Sequence, residues 1–217
     1  MAPLDVVIVM VYLFTLIYVG YRAYNNLEDQ AAVIFDQASL KAQLQEQGLQ
    51  NAIAIRIPFR PRYQFETIPD LSLTVVNSSP YAMYVDWDRC SLTNFSGRSR
   101  RVVRITPTMN LDLSRPQIFS VIAPGKMLTE RVVAEDMLRR NADGTLQVAA
   151  PLVDLSPARS LPEEAQLEFA FRLVFRVADT NQALDEETDM YAVLCRFIVK
   201  RVPWDAGYPW KQKKESS

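Results

Sequence analysis

The chain has 217 residues, 49% of them hydrophobic, which is enough for one sizeable domain and an attachment segment. Its 24 basic and 25 acidic residues give a net charge of −1, which excludes the overall positive charge typical of nucleic-acid-binding proteins. There is no histidine and there are only two cysteines, so the commonest general base and the usual zinc ligands are missing and we expect no cofactor.

The first element is an apolar segment. Residues 6–21, VVIVMVYLFTLIYVGY, carry no charge and are bounded by Asp5 and Arg22. A membrane span needs about 17 to 20 apolar residues, and the aliphatic part of Arg22 extends the run toward that length. No basic residue precedes the run and no small-residue cleavage site follows it, which disfavours a signal peptide. The sequence therefore predicts a single-pass transmembrane anchor over the first 24 residues, in contact with membrane lipid.

The basic residues around this anchor predict its orientation. No Lys or Arg precedes the span, whereas Arg22 and Lys41 follow it. Positive residues are enriched on the cytoplasmic side of a span. We therefore expect the bulk of the chain to lie in the cytoplasm.

A connecting helix is predicted over residues 25–48. Asn25 or Asn26 is a suitable N-cap, and Gly48 is a suitable residue just past the C-terminal end. Apolar residues between them recur at helical spacing. Two interpretations stay open, namely a helix packed on its own domain and a docking helix for a partner.

From residue 49 to residue 203 the apolar pattern changes to period two. In LEFAFRLVFRV, residues 167–177, the odd-numbered side chains are apolar, which predicts a long strand with one buried face. Residues 190–202 are its expected antiparallel neighbour. Further strands are predicted at Leu71–Val76, Tyr81–Asp88, Arg101–Thr106, Ile118–Ile122, Lys126–Ala134 and Leu146–Ala150, with a helical turn at Glu135–Arg140. Many short strands without long helices between them predict a mainly β domain, an antiparallel β-sandwich.

Two short stretches carry a resemblance. LSLTVVNSSP, residues 71–80, followed by SVIAPGK, residues 120–126, resembles immunoglobulin-like sandwiches of the major-sperm-protein and bacterial kinds. This implies an immunoglobulin-like fold. The whole layout is similar to uncharacterised single-pass membrane-anchored proteins of cyanobacterial type, which implies a plasma or thylakoid membrane. Neither resemblance assigns functional residues.

The stretch YVDWDRCSL, residues 84–92, concentrates reactive side chains. The strand period places Tyr81, Met83, Val85 and Trp87 in the core. Asp86 and Asp88 then lie on the solvent face, where they are candidate contacts for a ligand or ion. The competing interpretation, which we favour, is turn chemistry at a strand end, with Arg89 as an ion-pair partner.

The same period separates the two thiols. It places Cys90 on the polar face and Cys195 in the core, so no disulfide is expected, as suits a reducing cytoplasm. Without histidine, neither thiol has the usual activating base.

Two basic clusters are candidate interaction sites. In GRSRRVVR, Arg98, Arg100, Arg101 and Arg104 are candidate contacts for a partner or an anion, and the alternative is a solubilising strand edge. No aromatic residues interleave with them, which disfavours a single-stranded nucleic-acid site.

The second basic cluster is the tail, residues 204–217. Its candidate membrane or partner contacts are Trp204, Tyr208, Trp210, Lys211, Lys213 and Lys214. The alternative is that the tryptophans pack on the domain itself.

These features favour a protein–protein interaction module, an accessory, assembly or scaffolding subunit of a membrane complex, and not an enzyme. One alternative is a tethered sandwich that binds a small ligand or ion. A more remote alternative is a membrane-tethered serine–lysine hydrolase, although no lysine lies in a recognisable nucleophile motif.

Overall fold

The computed structural model describes residues 3–25, 29–105, 113, 115–162, 164–178 and 190–204. These residues form a mainly β protein with two α-helices and fourteen strands. The elements are α1 Pro3–Asn25, β1 Gln30–Phe35, α2 Gln37–Glu46, β2 Ile53–Arg56, β3 Thr67–Ile68, β4 Leu71–Asn77, β5 Ala82–Val85, β6 Ser91–Thr93, β7 Ser99–Arg104, β8 Ser120–Ile122, β9 Met127–Ala134, β10 Leu138–Arg140, β11 Leu146–Val148, β12 Val153–Asp154, β13 Gln166–Ala178 and β14 Met190–Val202. Two 3₁₀ turns lie at Glu135–Met137 and Ser156–Ser160.

Helix α1 is long and apolar enough to cross a membrane, as its sequence predicts. From Asp5 to Arg22 none of its surface is buried against the rest of the described chain. Its one hydroxyl-bearing aliphatic residue, Thr15, donates to the Val11 carbonyl at 2.8 Å. The helix therefore satisfies this polar group internally, as an apolar surrounding requires.

The predicted helix over residues 25–48 is wrong. Residues Gln30–Phe35 instead form β1, which pairs antiparallel with β14. Only Gln37–Glu46 is helical, and the Asp36 carboxylate caps it by accepting from the Ser39 amide at 2.9 Å. The exposed edge of β14 offers backbone partners to all of β1, and this long-range pairing overrides the local helical spacing.

Strands β13 and β14 form the longest ladder of the sheet. They pair antiparallel over eleven residues each, from Gln166 opposite Lys200 to Arg176 opposite Met190. Both predicted strands and their pairing are thereby confirmed. The inward residues of β13, including Phe169 and Phe171, are buried as the period-two pattern predicts.

Ten of the described strands form a curled antiparallel sheet with the order β1-β14-β13-β6-β7-β9-β4-β2, in which β5 also pairs with β13 and β8 pairs with β5. The pairs β10–β11 and β3–β12 form two separate two-stranded sheets. The curl is made at β7. Its first half pairs with β6, and its second half pairs with β9. Apolar side chains from both arms meet in one core, with Trp87, Phe169, Phe197 and Leu73 among the most buried.

Local details differ from the predicted strand bounds. Strand β5 stops at Val85, because a turn follows it, and β8 starts two residues later than predicted. The predicted helical turn is a 3₁₀ turn followed by β10, and Thr106 lies outside the described residues. The short strands β2, β3, β6 and β12 were not predicted, because two to four residues carry too little periodicity.

Helix α2 covers part of the sheet edge. Where β1 ends, the Gln43 side chain donates to the Leu194 carbonyl at 2.9 Å and accepts from its amide at 2.8 Å. Gln47 donates to the Ala192 carbonyl at 3.1 Å. These side chains replace a neighbouring strand, so this half of the β14 edge is protected from pairing with another chain.

Candidate functional site

The stretch YVDWDRCSL forms a strand end and a turn. Met83, Val85 and Trp87 are buried as predicted, but Tyr81 lies on the surface. The indole of Trp87 donates from Nε1 to Ser120 Oγ at 3.0 Å, and the Arg104 guanidinium lies 5.6 Å from its ring centre. Trp87 therefore joins the turn to β8 and β7.

Asp86 is not on the solvent face, and that prediction is wrong. Its side chain is buried, and the whole residue is only 6% exposed. Its Oδ2 lies 3.5 Å from Arg89 Nε and 3.9 Å from an Arg176 guanidinium nitrogen. The Asp86 amide donates to the Val174 carbonyl at 2.9 Å, which draws the turn against β13. Asp86 thus neutralises two arginines that reach toward the surface.

Asp88 belongs to a separate network. Its carboxylate accepts from the Arg101 guanidinium and, at 2.8 Å, from the Gln117 amide. Burial alone raises the pKa of Asp88, but the hydrogen bonds from Arg101 and Gln117 outweigh it and leave this pKa below its ordinary value. The same Asp88 contact raises the pKa of Arg101, which also donates to Glu135 at 3.2 Å.

The two carboxylates therefore serve different partners. A cation placed between Asp86 and Asp88 would have to displace at least one arginine. Within the described ranges no three acidic or cysteine side chains are grouped as metal ligands. Both observations are consistent with the structural interpretation of this stretch.

The arginine cluster is divided along β7. Arg100 donates to the Leu152 carbonyl at 3.0 Å and lies 3.5 Å from Asp136. Arg104 donates to Ser120 Oγ at 2.9 Å and to the Ile118 carbonyl at 3.0 Å. With Arg101 held by Asp88, three of the four guanidiniums bind within the fold, whereas the Arg98 residue is exposed. Strand β7 pairs with β6 over one half and with β9 over the other, so its arginine side chains lie next to other parts of the fold instead of solvent.

The two thiols are both free and both buried. For Cys90 this contradicts the predicted polar face, since the turn at residues 87–90 changes the alternation of side chains. Its Sγ accepts from the Val174 amide at 3.4 Å. Burial raises the pKa of both Cys90 and Cys195 to about 12, so neither is a reactive thiolate at neutral pH.

A surface that sequence reasoning missed lies on the outer face beside β8. Cross-strand register aligns Val121 of β8, Tyr84 of β5, Arg176 of β13 and Met190 of β14 in one row. The Arg176 guanidinium also lies 5.6 Å from the ring centre of Phe119. We define the β8 patch as Tyr81, Tyr84, Ile118, Phe119, Val121, Arg176 and Met190.

The apolar members of the β8 patch are open to solvent. Ile118 is 81% exposed and Val121 is 56% exposed. The sequence feature that indicates this patch is QIFSVIAP, residues 117–124, in which apolar residues occupy both faces of a very short strand. Its period-two pattern explains the buried Ile122 but leaves Val121 and Phe119 without a covering element.

The β8 patch borders a free sheet edge. Among the described residues β8 pairs only with β5, on one side. The outer strands of the main sheet path are β1 and β2, and β2 exposes Ala54, which is small, and Arg56, which is charged. The β14 edge is covered by β1 and α2, and the outer side of β1 bridges Tyr63 at Ala31 and exposes Ile34. In contrast, β8 combines an edge with one strand neighbour and two exposed large apolar side chains close together, Phe119 and Val121.

The beginning of the tail is tied to the start of the domain. The Trp204 amide donates to Asp29 Oδ1 at 3.1 Å, and Arg201 Nε donates to Asp29 Oδ2 at 2.7 Å. Trp204 itself is half-buried. Tyr208, Trp210, Lys211, Lys213 and Lys214 lie outside the described residues.

A separate cleft of about 440 Å³ lies beside β3 and the start of β4. Its polar lining includes Arg60, Tyr63, Glu66 and Asp70. Arg60 donates to Glu66 at 2.9 Å, and its guanidinium lies 5.9 Å from the ring centre of Tyr63. The cleft is large enough for a small molecule, with one cation and two carboxylates along its wall.

Comparison of the chain with family models, with curated proteins and with solved structures found no match.

Proposed function

We propose that this chain is a membrane-anchored protein–protein interaction module, an accessory, assembly or scaffolding subunit whose partner binds at the β8 patch. The observation that carries this proposal is an unpaired sheet edge flanked by exposed Ile118, Phe119 and Val121. On the opposite side of the sheet, β1 pairs with one half of β14, and side-chain hydrogen bonds from α2 cover β14 at Leu194.

The chemistry of the β8 patch fits the binding of an extended segment of a partner protein. A strand added to an edge gains main-chain hydrogen bonds, and pockets for alternate side chains give specificity. Tyrosine, methionine, phenylalanine and arginine, all present in the patch, are enriched at protein interfaces. The buried Asp86 carboxylate forms ion pairs with Arg89 and Arg176. Arg176, which belongs to the patch, is therefore oriented before a partner binds.

The position of the patch favours a partner beside the membrane and not within it. Met190 and Lys200 are ten residues apart on β14, or roughly 33 Å of strand. We call the end at Lys200 and Trp204 the anchor end, because Asp29 and α1 join the domain there. The end at Met190 and Arg176 is the patch end.

The anchor itself is part of the proposal. Helix α1 has the length and apolarity of a span, and none of its surface from Asp5 to Arg22 is buried in the domain. Insertion into lipid would cover this surface. Arg22 and Lys41 follow the span, which supports a cytoplasmic domain at a plasma or thylakoid membrane.

We also propose that the curled sheet is an immunoglobulin-like sandwich. Support comes from β7, which pairs with β6 in one arm and β9 in the other, so that two arms enclose one core. An experimental structure whose arms close into a continuous barrel would contradict this.

The test is the native mass of the full-length protein, extracted from its own membrane in mild detergent. Val121→Lys places a charge in the β8 patch, and Val148→Lys places the same charge at another exposed valine, on β11. We expect a large assembly that Val121→Lys dissociates and Val148→Lys preserves. Thermal unfolding of both variants controls for folding. An assembly that survives Val121→Lys would overturn the patch as its contact.

The cleft supports a second candidate function, the binding of a small ligand or ion. This places the candidate ligand site away from Asp86 and Asp88, whose charges are already paired. A rise in melting temperature with phosphate or anionic lipid headgroups that is lost in Arg60→Ala, or a rise with calcium that is lost in Glu66→Gln, would support it. A lone wild-type monomer in several detergents would favour this function over the first.

A further inference from the structure

We propose that the partner segment at the β8 patch is an acidic extended chain, with a carboxylate beside Phe119 that pairs with Arg176 and an apolar side chain beside Val121. This rests on the proposed function of the patch. It adds the charge of the partner, the backbone groups that bind it and the residue that selects it, none of which that function requires.

The first step is the direction in which the backbone groups of β5 point. The Asp86 amide donates to the Val174 carbonyl at 2.9 Å, one step beyond the last pair of the β5–β13 register. Hydrogen-bonded and non-hydrogen-bonded pairs alternate along an antiparallel ladder. Tyr84, two residues before Asp86, therefore also turns its amide and carbonyl toward β13. Its neighbours Met83 and Val85 turn theirs to the other side, toward β8.

The second step carries this alternation to β8. Ser120 and Ile122 lie opposite the two β5 residues that face β8, so they form the hydrogen-bonded pairs with β5. Val121, between them, directs its amide and carbonyl toward the open edge. Among the described residues neither group has a backbone partner there. A strand added at this edge can therefore exchange two hydrogen bonds with Val121.

The third step places the side chains of the added strand. Phe119 and Val121 are two residues apart, and both are exposed on the outer face. Directly opposed side chains on neighbouring antiparallel strands have Cβ atoms about 4.5–5.5 Å apart. An apolar side chain would thus cover Val121, and a side chain two residues along would lie beside Phe119. The Arg176 guanidinium is 5.6 Å from the Phe119 ring centre, so it is within reach of that second side chain.

The fourth step is the unfilled bonding capacity of Arg176. Its nearest carboxylate oxygen in the described chain, on Asp86, is 3.9 Å away, which is too far for a hydrogen bond. Asp86 is shared with Arg89 at 3.5 Å, so one negative charge faces two positive ones. The Arg176 side chain is only 26% exposed, and a carboxylate that reached it would form a charge-assisted bond partly shielded from water.

The fifth step concerns the surrounding charges, which decide between possible occupants. The carboxylates near β8, Asp88 and Glu130, are already paired with Arg101 and Arg104. Exposed Lys126 follows β8 by four residues and has no ion-pair partner among the described residues. The edge is therefore positive. A second copy of the chain would bring two such edges together at a cost in repulsion, whereas an acidic segment complements the edge.

The test uses three synthetic peptides with blocked ends, Thr-X-Thr-Val-Thr-X-Thr, in which X is glutamate, glutamine or lysine. With the central valine beside Val121, one X lies beside Phe119 whichever way the peptide runs. Binding of fluorescently labelled peptide to the full-length protein in phosphatidylcholine nanodiscs is measured by anisotropy. We expect the glutamate peptide to bind about tenfold more tightly than the glutamine peptide at low salt, and the lysine peptide to bind least.

Two variants locate the interaction. Arg176→Gln should remove the preference for glutamate and leave binding of the glutamine peptide unchanged, whereas Arg139→Gln, at an exposed arginine on β10, should keep the preference. Val121→Pro removes the amide that faces the open edge. It should abolish binding of all three peptides with little change in melting temperature, because proline is tolerated where a strand amide faces solvent.

The outcomes separate this inference from the function on which it rests. Equal binding of the glutamate and glutamine peptides to the wild type would overturn the acidic partner and leave strand addition intact. A large loss of thermal stability in Val121→Pro would overturn the direction assigned to the Val121 amide. If no peptide binds although Val121→Lys dissociates the native assembly, the partner is not an extended segment and the inference fails alone. An assembly that survives Val121→Lys overturns the proposed function itself.

Discussion

The two ends of the β13–β14 ladder differ in whether their large apolar side chains are buried or exposed to solvent. At the anchor end the rings of Phe35, Phe59, Phe169 and Phe197 lie within 4.8–6.2 Å of a neighbouring centre. At the same end, Asp29 before β1 accepts hydrogen bonds from Arg201 and Trp204 at the end of β14 and so links the two chain segments. At the patch end the large apolar side chains of Ile118 and Val121 stay exposed beside an unpaired strand.

Stability is concentrated at the anchor end, and binding is expected at the patch end. Interlocked rings and terminal ties favour rigidity, which suits the point where a domain meets its anchor. Exposed apolar residues beside an unpaired edge are an aggregation hazard unless a partner covers them. The patch end retains such an edge, whereas α2 removes the corresponding hazard from β14.

The largest effect is expected from Phe197→Ala at the anchor end. Phe197 is fully buried and its ring centre lies 4.8 Å from that of Phe169 and 5.1 Å from that of Phe59. Removing it creates a cavity at the centre of the ring cluster, which should lower the free energy of unfolding by about 3–5 kcal/mol. Denaturant unfolding in detergent measures this. A loss below about 1 kcal/mol would show that the rings are not packed as described.

Trp87→Phe should have a smaller effect that is local to the patch end. The variant removes the Nε1 bond to Ser120 and the cation–π contact with Arg104, at a cost of about 1–3 kcal/mol. Hydrogen exchange should accelerate in β5 and β8 more than in β1 and β14. Uniform acceleration across the sheet would contradict the independence of the two ends.

The long alternating segments were predictable from sequence, because eleven or more residues of period two leave little freedom for another structure. Strands β13 and β14 and their pairing follow from that pattern. The β1 strand did not follow, because its pairing partner lies some 170 residues away and its apolar residues also fit helical spacing. Cys90 was misplaced because a turn over residues 87–90 shifts the side-chain alternation of the residues after it, and Asp86 was misplaced because the strand already ends at Val85.

The candidate site was less predictable than the fold. Arginines read as a surface cluster are largely bound inside the fold, because β7 passes between two arms of the sheet. The β8 patch depends on which strand happens to lack a neighbour, and that is a property of topology. The sequence shows that Ile118 and Phe119 are apolar. It does not show that their side chains are exposed, and that exposure is what marks them as candidate contacts.

A third prediction concerns pH and the network under the patch end. The pKa of Asp88 is lower in the folded protein than its ordinary value, so its contribution is present above the unfolded pKa and is lost as pH falls through the folded one. Asp88→Asn should remove about 1 kcal/mol at neutral pH and flatten the acid side of the stability profile. Unfolding free energies measured from neutral pH down to about pH 3 test this. If the unfolding free energy of Asp88→Asn falls with decreasing pH as steeply as that of the wild type, Asp88 is not the cause of the acid destabilisation.

The smallest effect is expected near the anchor end of the ladder, at Glu168→Gln. Glu168 lies on the outer face of β13, 3.8 Å from Arg196, and both side chains are about half exposed. Solvent screens such a pair, so its loss should change the unfolding free energy by less than about 0.5 kcal/mol, with even less change at high salt. A larger loss in denaturant unfolding would mean that the outer face of the ladder is covered in the intact protein. The patch would then have to extend along β13 toward the anchor end, and the separation of the two ends would fail.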